Sequence, residues 1–146
     1  MMHPLKISIV QTDIAWENKQ ENLRMLREKL HALRGTTEIV VLPEMFSTGF
    51  TMKSRELAEP VSGITVRILK ELAADFQLAL CGSFICSERS NYYNRAFFIT
   101  PEGEEFYYDK RHLFRMGNEA EYFSSGNNKL IISYRGWNIC LLVCYD

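Results

Sequence analysis

The spacing of apolar residues along this chain leaves little choice of fold class. Three short apolar, β-rich runs, KISIVQ at 6–11, EIVVL at 38–42 and LALCGSF at 78–84, are separated by two stretches with helical periodicity. In the first, from about Asn18 to Leu33, residues Leu23, Leu26, Leu30 and Leu33 line one face, and Glu, Lys and Arg fill the other. Gly35 is a natural stop. In the second, roughly Gly63 to Phe76, the stripe is Val66, Leu69, Leu72, Ala73 and Phe76, and Ser62 is placed to cap it. This strand–helix–strand–helix–strand order predicts an α/β unit with helices packed on a sheet.

Beyond it the pattern changes to strands alone. Arg95–Thr100 and Glu105–Asp109 read as aromatic-rich strands joined by a turn at Pro101-Glu102-Gly103. Lys129–Tyr134 and Trp137–Val143 read as a hairpin around Arg135-Gly136. Glu44–Pro60 and Lys110–Asn128 are polar and irregular and are expected to be loops. The last run, NICLLV, is apolar enough to be a central strand. An uncovered apolar edge there would invite aggregation. Residues 1–146 are therefore expected to be the first part of one larger domain, ending just after Cys144.

Bulk properties exclude several classes. A net charge of −1 gives no electrostatic case for nucleic acid or an anionic membrane. No apolar run approaches the roughly 20 residues of a membrane helix, and the opening residues lack a signal-peptide core. A cytoplasmic location is the expectation. The four cysteines fall in C-x4-C and C-x3-C pairs within strand-like sequence, which suits neither a disulfide framework nor a zinc knuckle. Cys81, Cys86 and Cys140 read as buried small hydrophobes.

Three reactive residues share one property: each directly follows a predicted strand. Glu44 follows EIVVL, Lys110 follows EFYYD and Cys144 follows NICLLV. In open α/β sheets ligands bind at the carboxyl ends of strands, so three such ends can converge. A thiol, a carboxylate to take its proton and an ammonium to hold an oxyanion form a usable set for acyl transfer. A Cys-His hydrolase using His3, His31 or His112 is a rival reading. So is a degenerate, non-enzymatic module that binds a ligand without turnover or recruits a partner strand. A nucleotide-binding domain is excluded by the lack of any G-x-G-x-x-G or P-loop string.

The wording around these residues carries more. LPEMFSTGF around Glu44, YDKRHLF around Lys110, LLVCYD around Cys144 and the opening ISIVQTDIAWENKQENL resemble the signature segments of the nitrilase, or carbon–nitrogen hydrolase, superfamily, from about Lys6 to Asp146. The resemblance implies an α-β-β-α sandwich, of which this chain covers roughly the first half. It implies a catalytic set in which Glu44 is the general base, Lys110 the oxyanion-stabilising lysine and Cys144 the nucleophile. The backbone N–H of Tyr145 would be the second oxyanion donor. A second glutamate, Glu119 or the nearby Glu121, would orient Lys110. No metal or cofactor is implied, and the complete protein is expected to be an oligomer. The local wording DKRHLFRMGNEAEYF looks like the ω-amidase branch, which implies small 2-oxo acid monoamides as substrates. Arg111, His112 and Arg115 are candidates for holding the substrate carboxylate. The carboxylates of Asp146, two residues beyond Cys144, are expected to raise the thiol pKa.

Overall fold

The computed structural model describes residues 3–146. Its frame is a five-stranded sheet in sequential order: β1 (Ile7–Ile9), β2 (Ile39–Val41), β3 (Ala79–Glu88), β4 (Asn91–Ile99) and β5 (Glu105–Asp109). The first three strands are parallel, and β4 and β5 continue the sheet antiparallel. Parallel neighbours need long crossovers. Helix α1 (Lys19–Leu33) links β1 to β2, and the link from β2 to β3 contains the short helix α2 (Ser54–Leu57) and then α3 (Ile64–Phe76).

Both long helices cover one face of the sheet. Leu23, Leu26 and Leu30 of α1 and Val66, Leu69, Leu72 and Phe76 of α3 form one core with Val40, Leu80, Phe84, Phe97 and Ile99 from the strands. Leu30, Leu69 and Leu72 are fully buried, and each such side chain contributes about 1.5–3 kcal/mol of transfer free energy. Asn18 caps α1, its Oδ1 accepting from Glu21 N at 3.1 Å. The cap of α3 differs from the sequence expectation. Gly63 occupies the N-cap with no side-chain bond, and the Glu59 carboxylate serves in place of Ser62, accepting from Thr65 N at 3.1 Å. A carboxylate satisfies orphan N–H groups and matches the helix dipole better than a hydroxyl does.

The opposite face carries a second, two-stranded sheet, β6 (Ile131–Tyr134) with β7 (Trp137–Cys140). Ile132, Tyr134, Leu141 and Val143 pack there against Ile39, Ala79, Ala96, Phe98 and Tyr108. The described chain is thus layered helix, sheet, sheet. The final strand is shorter than expected and, among the described residues, pairs with β6. Leu141–Val143 lie beyond the ladder, and Leu141 and Val143 pack on the large sheet. Cys140 is exposed, contrary to the expectation of a buried thiol; Cys86 is buried and Cys81 half-buried.

A further difference is the length of the β3–β4 hairpin, which extends to the pair Glu88–Asn91. Its two-residue loop, Arg89-Ser90, has positive φ at both positions (48° and 68°), the backbone that matches strand twist. The turn lacks the glycine or asparagine that usually marks this geometry, so it does not show in the sequence. Arg135-Gly136, with φ of 49° and 84°, is the same device with its marker present.

Candidate active site

Alternation along the strands sorts side chains between the two faces. Ser83 and Ile85 of β3, Asn94 and Ala96 of β4, and Tyr108 of β5 share the face that carries the small sheet, and Lys110 continues that parity just past β5. The site is built at the carboxyl ends of β2 and β5, beside the β3–β4 hairpin.

Glu44 lies in the turn after β2. Met45, at φ 48°, reverses the chain there, and its N–H donates to Ser83 Oγ at 2.8 Å. Asn22 of α1 steadies the same turn by donating to Ser47 O at 2.8 Å. Lys110 leaves β5 with its backbone N–H still bonded to Asn94 O at 3.0 Å. Gly126 presses against this point from the following loop. Its N–H donates to Lys110 O at 2.9 Å, and a Cβ there would stand 2.2 Å from Asp109 O. Glu119 opens the one-turn helix α4 (Glu119–Tyr122), inside a stretch expected to be irregular, and is fully buried.

These placements converge on the Lys110 ammonium, whose side chain is 0% exposed. Nζ donates to Glu44 Oε1 at 2.8 Å and pairs with Glu119 Oε2 at 3.0 Å. Burial alone would lower the Lys110 pKa, but the two carboxylates outweigh it and hold the ammonium above its ordinary value. An ammonium has three protons, and among the described residues only these two carboxylates claim them. Glu119 also accepts from Phe114 N at 2.6 Å, which fixes its orientation.

Cys144 sits on the turn after β7 at φ 42°, and it is exposed. With Glu44, Cys81, Ser83 and Val143 it lines an open pocket of about 350 Å³. Its thiol is held above the usual value, first by burial and then by the negative charge of Glu44, with Lys110 opposing. It is therefore protonated at neutral pH and needs a base before it can attack. Asp146 is not the cause of this shift. Its carboxylate accepts from Arg111 N (3.1 Å), His112 N (2.9 Å), Tyr108 Oη (2.9 Å) and Val143 N (3.1 Å), tying the Cys144 turn to the end of β5. Burial would raise the Asp146 pKa, but these hydrogen bonds override it and lower the value.

The other sequence candidates fall as follows. Tyr145 is 61% exposed, its ring packs edge-on against Phe114 at 5.8 Å, and its N–H has no partner among the described residues. Arg111 and Arg115 are exposed and make no side-chain contact with the carboxylate–lysine cluster. His112 is exposed and its ring pairs with Asp146 Oδ1 at 3.1 Å. His31 packs edge-on against Phe76 at 4.9 Å and His3 lies beside Glu38 and Arg135, so neither is near Cys144. Glu121 is exposed in a groove with Lys53 and Arg55, which leaves Glu119 as the glutamate on Lys110. Asn94 belongs to the cluster and was not foreseen: its Nδ2 donates to Glu44 Oε1 at 2.7 Å. No group of three or more His, Cys, Asp or Glu among the described residues is placed to hold a metal.

Comparison with known proteins settles the family. The Carbon-nitrogen hydrolase family model matches residues 6–146. The chain belongs to the carbon–nitrogen hydrolase family. It is 35% identical over 145 residues to the Omega-amidase YafV of Escherichia coli K12, covering 99% of this chain and 56% of that protein. It is 29% identical over 144 residues to an (R)-stereoselective amidase of Pseudomonas. XC1258 of Xanthomonas campestris, a superfamily member whose crystal structure carries an arsenic adduct in its active site, superposes with a TM-score of 0.95 at 38% identity, over 99% of this chain and 54% of that one. The α/β fold is thus that of the nitrilase superfamily, and the chain spans about half the length of the relatives it matches.

Proposed function

We propose that this carbon–nitrogen hydrolase acts as an amidase through a cysteine thioester, with Glu44, Lys110 and Cys144 as catalytic residues and Glu119 orienting the lysine. One observation carries the proposal: a fully buried ammonium clamped between two carboxylates, beside a thiol on a left-handed turn. In this reading Glu44 takes the Sγ proton as sulfur attacks the amide carbonyl. Lys110 Nζ and Tyr145 N–H receive the developing oxyanion. Glu44 returns its proton to the leaving nitrogen, and ammonia departs as the C–N bond breaks. Glu44 then deprotonates a water that attacks the thioester, releasing the acid and restoring the thiol.

The substrate class proposed is the terminal amide of a small 2-oxo acid, in keeping with the omega-amidase relatives. A cytoplasmic, oligomeric enzyme is the accompanying expectation. Among the described residues no helix is long and apolar enough to cross a membrane. The Cys-His alternative has no support, because the groups that act on the Cys144 thiol are Glu44, Lys110 and Glu119, and His112 is not among them.

The test is ammonia release from 2-oxosuccinamate by this chain and its Cys144→Ala variant, with a nitrile and an N-carbamoyl amino acid in parallel. Release that vanishes in the variant supports the reading. Release that survives removes Cys144 from the nucleophile role, and a clear preference for the nitrile overturns the substrate class.

A further inference from the structure

Asn94 occupies a costly position. It is fully buried on β4, between Ile85 of β3 and the end of β5. Its Nδ2 donates to Glu44 Oε1 at 2.7 Å and reaches Glu119 Oε1 at 3.4 Å. An ionised carboxylate only accepts, so two of them oblige the amide to present its NH2 group. The amide oxygen is thereby turned the other way, and Oδ1 is a buried acceptor without a partner. An unmade hydrogen bond in a buried site is destabilising. A side chain serving only to fill space would not incur that cost.

The geometry at Glu44 suggests the return. Oε1 receives both Asn94 Nδ2 at 2.7 Å and Lys110 Nζ at 2.8 Å, while Oε2 accepts no hydrogen bond among the described residues. One oxygen is saturated and the other is free. We propose that Asn94 is a positioning residue that locks the Glu44 carboxylate with Oε1 occupied, so that Oε2 alone exchanges the proton with Cys144, the leaving nitrogen and water. This rests on the reading of Glu44 as general base. In the first transfer the S–H bond breaks, its electron pair stays on sulfur, and the proton forms an O–H bond on Oε2. The charged and titratable groups around Asn94 and Glu44 are Lys110, Glu119 and Cys144. Loss of the lock leaves Glu44 free to rotate about its terminal torsion, and misplacement of a reacting group by about 1 Å costs roughly a hundredfold in rate.

The experiment uses the intact chain and does not depend on turnover. Labelling of Cys144 by chloroacetamide is followed by peptide mass spectrometry from mildly acid to alkaline pH, with exposed Cys140 in the same molecule as reference. Glu44→Gln tests the underlying reading: its neutral labelling should fall and become that of an ordinary thiol, rising with pH. An unchanged profile removes Glu44 as base, and this proposal with it. Asn94→Leu, shown to be folded by circular dichroism, should lose about tenfold or more at neutral pH and converge with the parent chain in alkali. Parent-like labelling would overturn the Asn94 role while leaving Glu44 intact. Asn94→Asp decides the case should the leucine variant not fold. The first proton its cluster takes up restores both the charge and a donor to Oε1, so labelling should approach the parent rate in acid and fall as pH rises. A uniform loss at every pH would mark Asn94 as merely structural and overturn the proposal.

Discussion

Replacing Asp146 should loosen the Cys144 turn, and the cost can be worked from its contacts. The Asp146 side chain is 1% exposed, and its two oxygens receive four hydrogen bonds from the protein besides the His112 ring. The Arg111 and His112 N–H groups lie near the surface, so water replaces much of what they lose. The His112 ring is 61% exposed, and a pair of that kind is worth about 0–1 kcal/mol. The bonds from Val143 N and Tyr108 Oη are more sheltered, and leaving such a donor unpaired costs about 1–3 kcal/mol. Asp146→Ala is therefore expected to lose about 2–3 kcal/mol, a fall in Tm of about 2–4 °C per kcal/mol for a chain of this size. Asp146→Asn keeps one acceptor oxygen, and Tyr108 Oη can accept from the new NH2 group, but Val143 N–H then faces a donor. Its loss should be smaller, about 1–2 kcal/mol. The pH dependence separates charge from shape. The folded pKa of Asp146 lies below its ordinary value of 3.8, so its contribution is complete above that value and is lost as pH falls through the folded pKa. Urea unfolding at neutral pH and at successively lower pH should show parent and Asn variant converging in acid. A constant gap between them down to the lowest pH would refute the charged-anchor argument. Equal stability at neutral pH would refute the anchor itself.

Three further outcomes follow from the same geometry. Lys110→Met removes the cation that bridges Glu44 and Glu119 and should cost about 3–5 kcal/mol, part of it regained in acid where a carboxylate is neutralised; denaturation midpoints at two pH values check this. In the parent chain the raised Lys110 pKa contributes stability that is full below the ordinary lysine value and lost as pH rises through the folded one, so alkaline unfolding should be steeper than in the Met variant. Gly126→Ala places a Cβ 2.2 Å from Asp109 O, and with backbone on both sides the overlap should cost about 1–3 kcal/mol or more, read as a lower Tm. Brief alkylation at neutral pH should label Cys140 and Cys144 and spare Cys81 and Cys86, whose thiols are pushed by burial to about 11; fast labelling of Cys86 would contradict the packing of the helix-covered face.

What the sequence made legible is what depends on local pattern. The two long helices announce themselves by leucine spacing, and both lie within a residue or two of their expected bounds. Glu44, Lys110 and Cys144 each follow an expected strand, but it was the resemblance of the segments around them to a known family that marked them out. Glu119 was legible by motif, and its burial and its contact with Lys110 separate it from Glu121. The supports of the site were not legible, because they act over long range. Asn94 is 50 residues from Glu44 in sequence, and Lys110 is 66 from it. The expected strand began one residue after Asn94, at Arg95. Only the register of β4 against β5 brings it beside Lys110, and the part of β4 before Arg95 belongs to a β3–β4 hairpin whose Arg89-Ser90 turn carries no sequence marker. The early end of the last strand, at Cys140 and not Val143, has the same origin. NICLLV is apolar enough for a central strand, but apolarity does not distinguish pairing in a ladder from packing across a face. Leu141 and Val143 pack across, while Cys140 and Leu142 point out. That choice ends the ladder four residues before Cys144. It frees the backbone to take the left-handed turn at the thiol, a conformation that a residue inside a continuous strand could not adopt.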